Sequence, residues 1–223
     1  YNSELELDPA FVAFVPLGGR HVNHFWKLLD NLQIPHVTLL DYDFGRYNAG
    51  ILRLKYTTEQ LAKLGHVPPD GQPADAAGWR ALDQAGIMKF YNWGRDLGVH
   101  FSLSLDLDMM MSQAYPDQYL SISKVSDDGS HNASDFEKSV FGKKGDGLAA
   151  YQGYSAPSPL DLAIYDDLFK KGSKPVAHLE AMALLTDEEI KAGCPNPLRA
   201  LFTDCETRLG LQQASGDETG KVS

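Results

Sequence analysis

Residues 36–50 read HVTLLDYDFGRYNAG, and the fold turns on what the run VTLL does before it meets Asp41 and Asp43. A short, apolar, partly β-branched run of this kind predicts a buried strand. Side chains two apart on a strand point to the same side, so where the strand frays into a turn both carboxylates can converge on one cation. Hard oxygen donors of this type suit Mg²⁺ or Mn²⁺. Gly45 relaxes the backbone just after them. The plainer reading is a strand closed by a turn with solvated acids, which are common at such places.

Outward from this stretch the chain alternates. Residues 10–17, AFVAFVPL, predict a strand closed by Gly18 and Gly19. VNHFWKLLDNLQ follows with Phe25, Leu28, Leu29 and Leu32 on one helical face. After the strand in residues 34–40 comes a second helical rhythm, Ile51, Leu54, Leu61 and Leu64, ended by Gly65. PPDGQPADAAG reads as a loop, and WRALDQAGIMKFYNWGRDLG as helix with breaks at Gly86 and Gly94. A third strand starts at Val99 and again runs towards acids, Asp106 and Asp108, in LSLDLDMM.

Strand–helix–strand alternation with continuous apolar strands predicts an α/β fold built on a parallel sheet flanked by helices. In open sheets of this class ligands bind at the carboxyl ends of the strands. Both acid pairs fall at or just after such ends. If the strands are neighbours, the carboxylates gather at one edge, where they raise one another's pKa unless a divalent cation compensates them.

The pattern weakens after residue 114. Residues 115–157 are polar and rich in Gly, Ser and Asp, and predict a long loop or an inserted, helical or irregular segment. Helical rhythm resumes at SPLDLAIYDDLFKKG, with Ser158 as N-cap and Gly172 as the residue past the C-terminus. Two further helices are expected up to residue 210, the second packing Pro197, Leu198, Leu201, Cys205 and Leu209. The expected organisation is therefore a core in residues 1–114, an insertion in 115–157, completing helices in 158–210 and a disordered tail in 211–223.

The 223 residues carry a net charge of −10 and no Lys/Arg run, so no broad phosphate-binding surface is advertised. An acidic chain can still act on nucleic acid when metals or a partner supply positive charge. The two cysteines, Cys194 and Cys205, form no Cys-x-x-Cys pair, which argues against a zinc knuckle and for reduced thiols. No signal peptide or membrane-spanning run is evident, so a cytoplasmic protein without membrane contact is expected. The first residues, YNSELELDPA, lack Met, which suggests a fragment or a processed product.

Other candidates are thinner. Lys174 sits between Ser173 and Pro175 in a constrained turn, beside Lys170 and Lys171, and a fixed lysine there can neutralise a phosphate or a leaving oxygen. His21 and His24 are three apart but have no third partner in a His-Glu-x-x-His pattern, so His24 reads as structural. GGRHVN resembles a phosphate-cradling turn before a helix, without the Lys-Ser/Thr of a P-loop. No Gly-x-Ser-x-Gly elbow and no Cys/His nucleophile stands out.

Taken in order, FVPLGGRHVNHFWKLLDNLQIPHVTLLDYDFGRYNAG, FSLSLDLDMM and SKPVAHLEAMALL resemble the TOPRIM domain of OLD-family (overcoming lysogenisation defect) nucleases. The resemblance covers residues 10–112 and 170–210, with Asp106 at the position of the family's later acidic motif and Lys174 at that of its lysine. It implies a Rossmann-like TOPRIM sheet and a DNA endonuclease or nickase that hydrolyses phosphodiesters with two Mg²⁺ or Mn²⁺ ions. By the same resemblance Asp41, Asp43, Asp106 and Asp108 are metal ligands, and Lys174 stabilises the transition state. It further implies DNA as substrate, an ATPase domain outside these residues, and a homodimer. One departure stands out: the first strand and glutamate motif of TOPRIM domains have no clear counterpart, since Glu4 and Glu6 lie too close to the strand at Phe11.

Two readings of other classes compete. A haloacid-dehalogenase-type phosphatase would use Asp41 as nucleophile, although Phe44-Gly45 departs from the residues expected there. A non-catalytic assembly module would leave the acids merely solvated.

Overall fold

The computed structural model describes residues 12–17, 22–103, 105–151, 155–208 and 210. Within them the chain is mixed α/β and mostly helical. Two parallel strands, β1 (Thr38–Asp41) and β2 (Val99–Ser102), pair in the register Thr38↔Val99 to Asp41↔Ser102. The expected strand over residues 10–17 is absent where it can be seen: residues 12–17 form no regular element.

The first half packs around this strand pair. Helix α1 (Val22–Asn31) lays Trp26 beneath β1, where its indole N–H donates to Thr38 Oγ1 at 2.9 Å. The buried residues of α1 are Val22 and Trp26, not the expected stripe: Phe25, Leu28 and Leu32 remain 41%, 53% and 59% exposed. Helical spacing aligned those residues on one face, but the tertiary structure turned the Trp26 face to the strand. Helix α2 (Ile51–Lys63) behaves as its rhythm predicted, burying Leu54 and Leu61. The next helical stretch breaks elsewhere than at its glycines. It divides into α3 (Ala76–Arg80) and α4 (Gln84–Asp96), with Asp83 capping α4 by accepting from Gly86 N–H. Gly86 and Gly94 lie inside α4, because a cap satisfying orphan N–H groups is a stronger punctuation than an isolated glycine. Trp79, Phe90, Leu54 and Phe101 fill this core, each full burial contributing about 1.5–3 kcal/mol.

The second half is helical. Helices α5 (Leu107–Ala114) and α6 (Pro116–Ile122) are followed by α7 (Ala133–Phe141) and a 3₁₀ turn at Gly147–Tyr151. The polar stretch after residue 114 is thus partly helical, and it supplies Tyr119, Val140, Phe141 and Tyr151 to the core. Spaced hydrophobic anchors in a polar background were enough to hold it. Helix α8 (Pro159–Tyr165) begins at Ser158 as expected, with a capping box to Asp161, and passes into a π-helical turn, Asp166–Lys171. Gly172 closes that turn with φ −93°, not the left-handed conformation expected past a helix end. It is needed for closeness: a Cβ there would sit 2.6 Å from the Leu168 carbonyl oxygen.

Three helices follow where two were expected: α9 (Lys174–Met182), α10 (Asp187–Gly193) and α11 (Asn196–Arg208). The extra break comes from a capping box between Thr186 and Glu189. Of the residues expected to pack from α11, Leu201 is buried and Cys205 half-buried, while Leu209 lies outside the described residues, as do Glu4, Glu6, His21 and the tail. Helix α11 docks on β2 through the buried His100, whose Nε2 lies 3.0 Å from Asp204 Oδ2. Among the described residues no helix is long and apolar enough to cross a membrane.

Candidate metal and phosphoryl-transfer site

The two acid pairs meet at the carboxyl edge of the strand pair. Past Asp41 the ladder runs on by one backbone bond, Asp43 N–H to the Leu105 carbonyl, which ties the two acid segments together. Asp41 ends β1 and still reaches solvent. Its Oδ1 accepts from Ser102 Oγ at 3.0 Å and from Leu107 N–H at 3.2 Å. Burial by the surrounding chain, and then the Asp106 charge, push its pKa above the usual value, with Asp43 adding a smaller push.

Asp43 leaves the strand in a left-handed conformation, φ 57°, which Asp tolerates better than most residues. Gly45 follows at φ 83° and presses on the second half: Gly147 N–H donates to its carbonyl, and a Cβ on Gly45 would sit 2.8 Å from the Gly147 oxygen. This turn aims Arg46 back across the site. Its guanidinium donates to Asp43 Oδ1 at 2.5 Å, lies 2.9 Å from Asp106 Oδ2, and reaches the Tyr165 hydroxyl at 2.6 Å and the Val140 carbonyl at 3.2 Å. Arg53 takes the other Asp43 oxygen at 2.8 Å. Burial alone would lower the pKa of Arg46, but Tyr165, Asp106 and Asp43 together raise it.

Asp106 is buried and caps α5 through Oδ1, which accepts from Met109 N–H at 3.0 Å. Its Oδ2 also accepts from the Tyr165 hydroxyl at 2.5 Å. Burial and the Asp106 charge raise the Tyr165 pKa, so the phenol keeps its proton. Asp108, in the first turn of α5, is held from α9: Lys174 Nζ contacts Oδ2, and His178 Nε2 lies 3.0 Å from Oδ1. Burial opposes ionisation of Asp108, but His178 and Lys174 outweigh it and lower the pKa. Tyr119 Oη lies 2.6 Å from His178 Nδ1, so a ring protonated on Nε2 satisfies both neighbours. Lys170 stands nearby over the Tyr165 ring, its pKa lowered first by burial and then by Arg46 and Lys174.

All five residues singled out from the sequence, Asp41, Asp43, Asp106, Asp108 and Lys174, therefore lie in this one region, while His24 stands apart on α1. The residues that sequence reasoning missed are Arg46, Arg53, Tyr165 and His178. His178 had a signal, since it lies one helical turn after Lys174 on the same face. Arg46 had a weaker one, three residues past Asp43 in the same turn. Tyr165 had none.

As arranged, these side chains do not fit a divalent ion. Among the described residues no three histidine, cysteine or carboxylate groups are placed to share one ion. Both Asp43 oxygens are taken by guanidinium groups, and Asp108 is held by Lys174 and His178.

A parallel strand pair between helices, with acids at its carboxyl edge, makes this an α/β domain compatible with the TOPRIM class. Residues 2–43 match the family described as overcoming lysogenization defect protein-like, TOPRIM domain. The match contains Asp41 and Asp43 and bears out the resemblance seen in the sequence, although it does not reach Asp106, Asp108 or Lys174. It supports a metal-dependent, nuclease-type function in general, TOPRIM domains being binders of divalent metals. No curated protein and no solved structure matches the chain.

Proposed function

We propose that this chain is the nuclease module of a divalent-metal-dependent DNA endonuclease or nickase, with Mg²⁺ or Mn²⁺ as cofactor and a phosphodiester as substrate. The observation that carries the reading is the gathering of Asp41, Asp43, Asp106 and Asp108 at one strand edge, tied by the Asp43–Leu105 backbone bond. The family match over residues 2–43 supports the same chemistry. Two ions, an ATPase domain working with this one, and a homodimer are parts of the proposal that rest on the resemblance alone.

The chain's own groups have defined parts. Asp41 presents a solvent-facing carboxylate held in place by Ser102 and Leu107. Lys170 and Lys174 put positive charge beside the acids, where a phosphodiester's oxygens need it. A divalent ion held by these acids would supply an activated water and charge neutralisation. The test is nicking of supercoiled plasmid in Mg²⁺ or Mn²⁺. Asp41→Ala should reduce nicking to background while leaving the fold intact. Equal activity in the two proteins would falsify the reading.

A further inference from the structure

Three of the four carboxylates, Asp43, Asp106 and Asp108, already touch cations of the chain, Arg46, Arg53 and Lys174. Asp41 is held by Ser102 and Leu107 instead, so the set keeps one uncompensated negative charge, less than a single divalent ion brings. Among these cations Arg46 has the central place. It alone bridges the two acid pairs, contacting Asp43 from the strand end and Asp106 from the helix start. Two neutral partners in the second half, the Tyr165 hydroxyl and the Val140 carbonyl, hold it there. A guanidinium and a divalent ion cannot both occupy the space between Asp43 and Asp106, since like charges at such distances repel and the acceptor lone pairs are shared.

We propose that Arg46 is the resident counter-cation of this site, that a divalent ion binds Asp43 and Asp106 only as Arg46 is displaced, and that Arg46 therefore sets the affinity for metal. This rests on the proposed function, because it presumes that these acids take a metal. It differs from that reading in naming a competitor within the chain. The competition weakens metal binding, since each ion that enters must break the Arg46 contacts to Asp43, Asp106 and Tyr165. Tyr165 is a positioning residue in this scheme. It donates to Asp106 and accepts from Arg46, locking the guanidinium in the metal's place.

The test is calorimetric titration of the 223-residue chain with MnCl₂, comparing wild type, Arg46→Gln and Tyr165→Phe. Circular dichroism and a melting curve establish that each variant is folded. Arg46→Gln should bind Mn²⁺ about ten- to a hundredfold more tightly, the range in which neighbours of metal ligands tune affinity. Tyr165→Phe, which loosens Arg46 without deleting it, should bind several-fold more tightly. If Arg46→Gln does not fold, Tyr165→Phe decides alone. Wild-type affinity in a folded variant, or weaker, overturns the inference and leaves the metal reading standing. Absence of Mn²⁺ binding in wild type and folded variants alike overturns both.

Discussion

In the first acid pair the backbone runs off a strand, so Asp41 stays in the ladder and Asp43 swings into a left-handed turn. In the second, at the same spacing, the backbone enters a helix, so Asp106 becomes the N-cap and Asp108 sits in the first turn. The partners then cross over. Asp43 and Asp106, from different pairs, share Arg46, while Asp41 keeps to Ser102 and Asp108 goes to Lys174 and His178. Identical Asp-x-Asp spacing thus says little about which carboxylates act together. The secondary structure beneath each pair decides that, and with it which acid is stabilised as a charge and which is not.

The strongest way to break the contrast is to remove the acid that belongs to both systems. Asp106→Ala deletes the cap of α5 and leaves Arg46 and Tyr165 facing an empty position. It should cost about 3–5 kcal/mol, the range for losing one member of a buried ion pair. Asp106→Asn keeps a cap acceptor and should cost less. Urea denaturation of the two variants measures the difference, and equal midpoints would show that the Arg46 pair, not capping, dominates at this position.

Next comes the turn that separates Asp43 from its strand. Gly45→Ala puts a Cβ at positive φ against the Gly147 carbonyl and the Phe141 ring. The strain should cost about 1–3 kcal/mol. A melting temperature unchanged from wild type would mean that the two halves do not rely on this contact.

The smallest effect is also the one of opposite sign. Asp108 has its pKa lowered in the folded chain, so it contributes stability above the ordinary carboxylate range that fades as pH falls through its folded value. Asp41 has its pKa raised above the usual carboxylate value, so the folded chain disfavours its charge. At neutral pH its charge is a net cost, and stability from this group returns as pH falls through its raised value. Asp41→Asn should therefore be neutral to slightly stabilising at about pH 7, within the roughly 0.5 kcal/mol of surface changes, and its advantage should shrink towards pH 4. Asp108→Asn should be destabilising at neutral pH. Urea midpoints for both variants across that pH range check the signs, and an Asp41→Asn protein less stable than wild type at neutral pH would contradict the environment described for Asp41.

Local chemistry was legible from residue order where a strong short-range rule acted. Thr38, Leu39 and Leu40 of VTLL entered β1 because β-branched and apolar residues fit a half-buried strand. Leu54 and Leu61 marked the buried face of α2, and Ser158 with Asp161 wrote its own capping box. The acids at the strand ends could be expected at one edge, because parallel neighbouring strands bring their carboxyl ends together. What residue order left open was which stripe of α1 would be buried, since Phe25, Leu28 and Leu32 have the right spacing and still face outward. It also left open which cation each acid would meet. Arg46 meets Asp106 across 60 residues of chain, and Tyr165 joins them from α8, contacts that no periodicity encodes. Those pairings depend on how two cores close against each other, so only the tertiary structure decided that the carboxylates of this site already have a cation of their own.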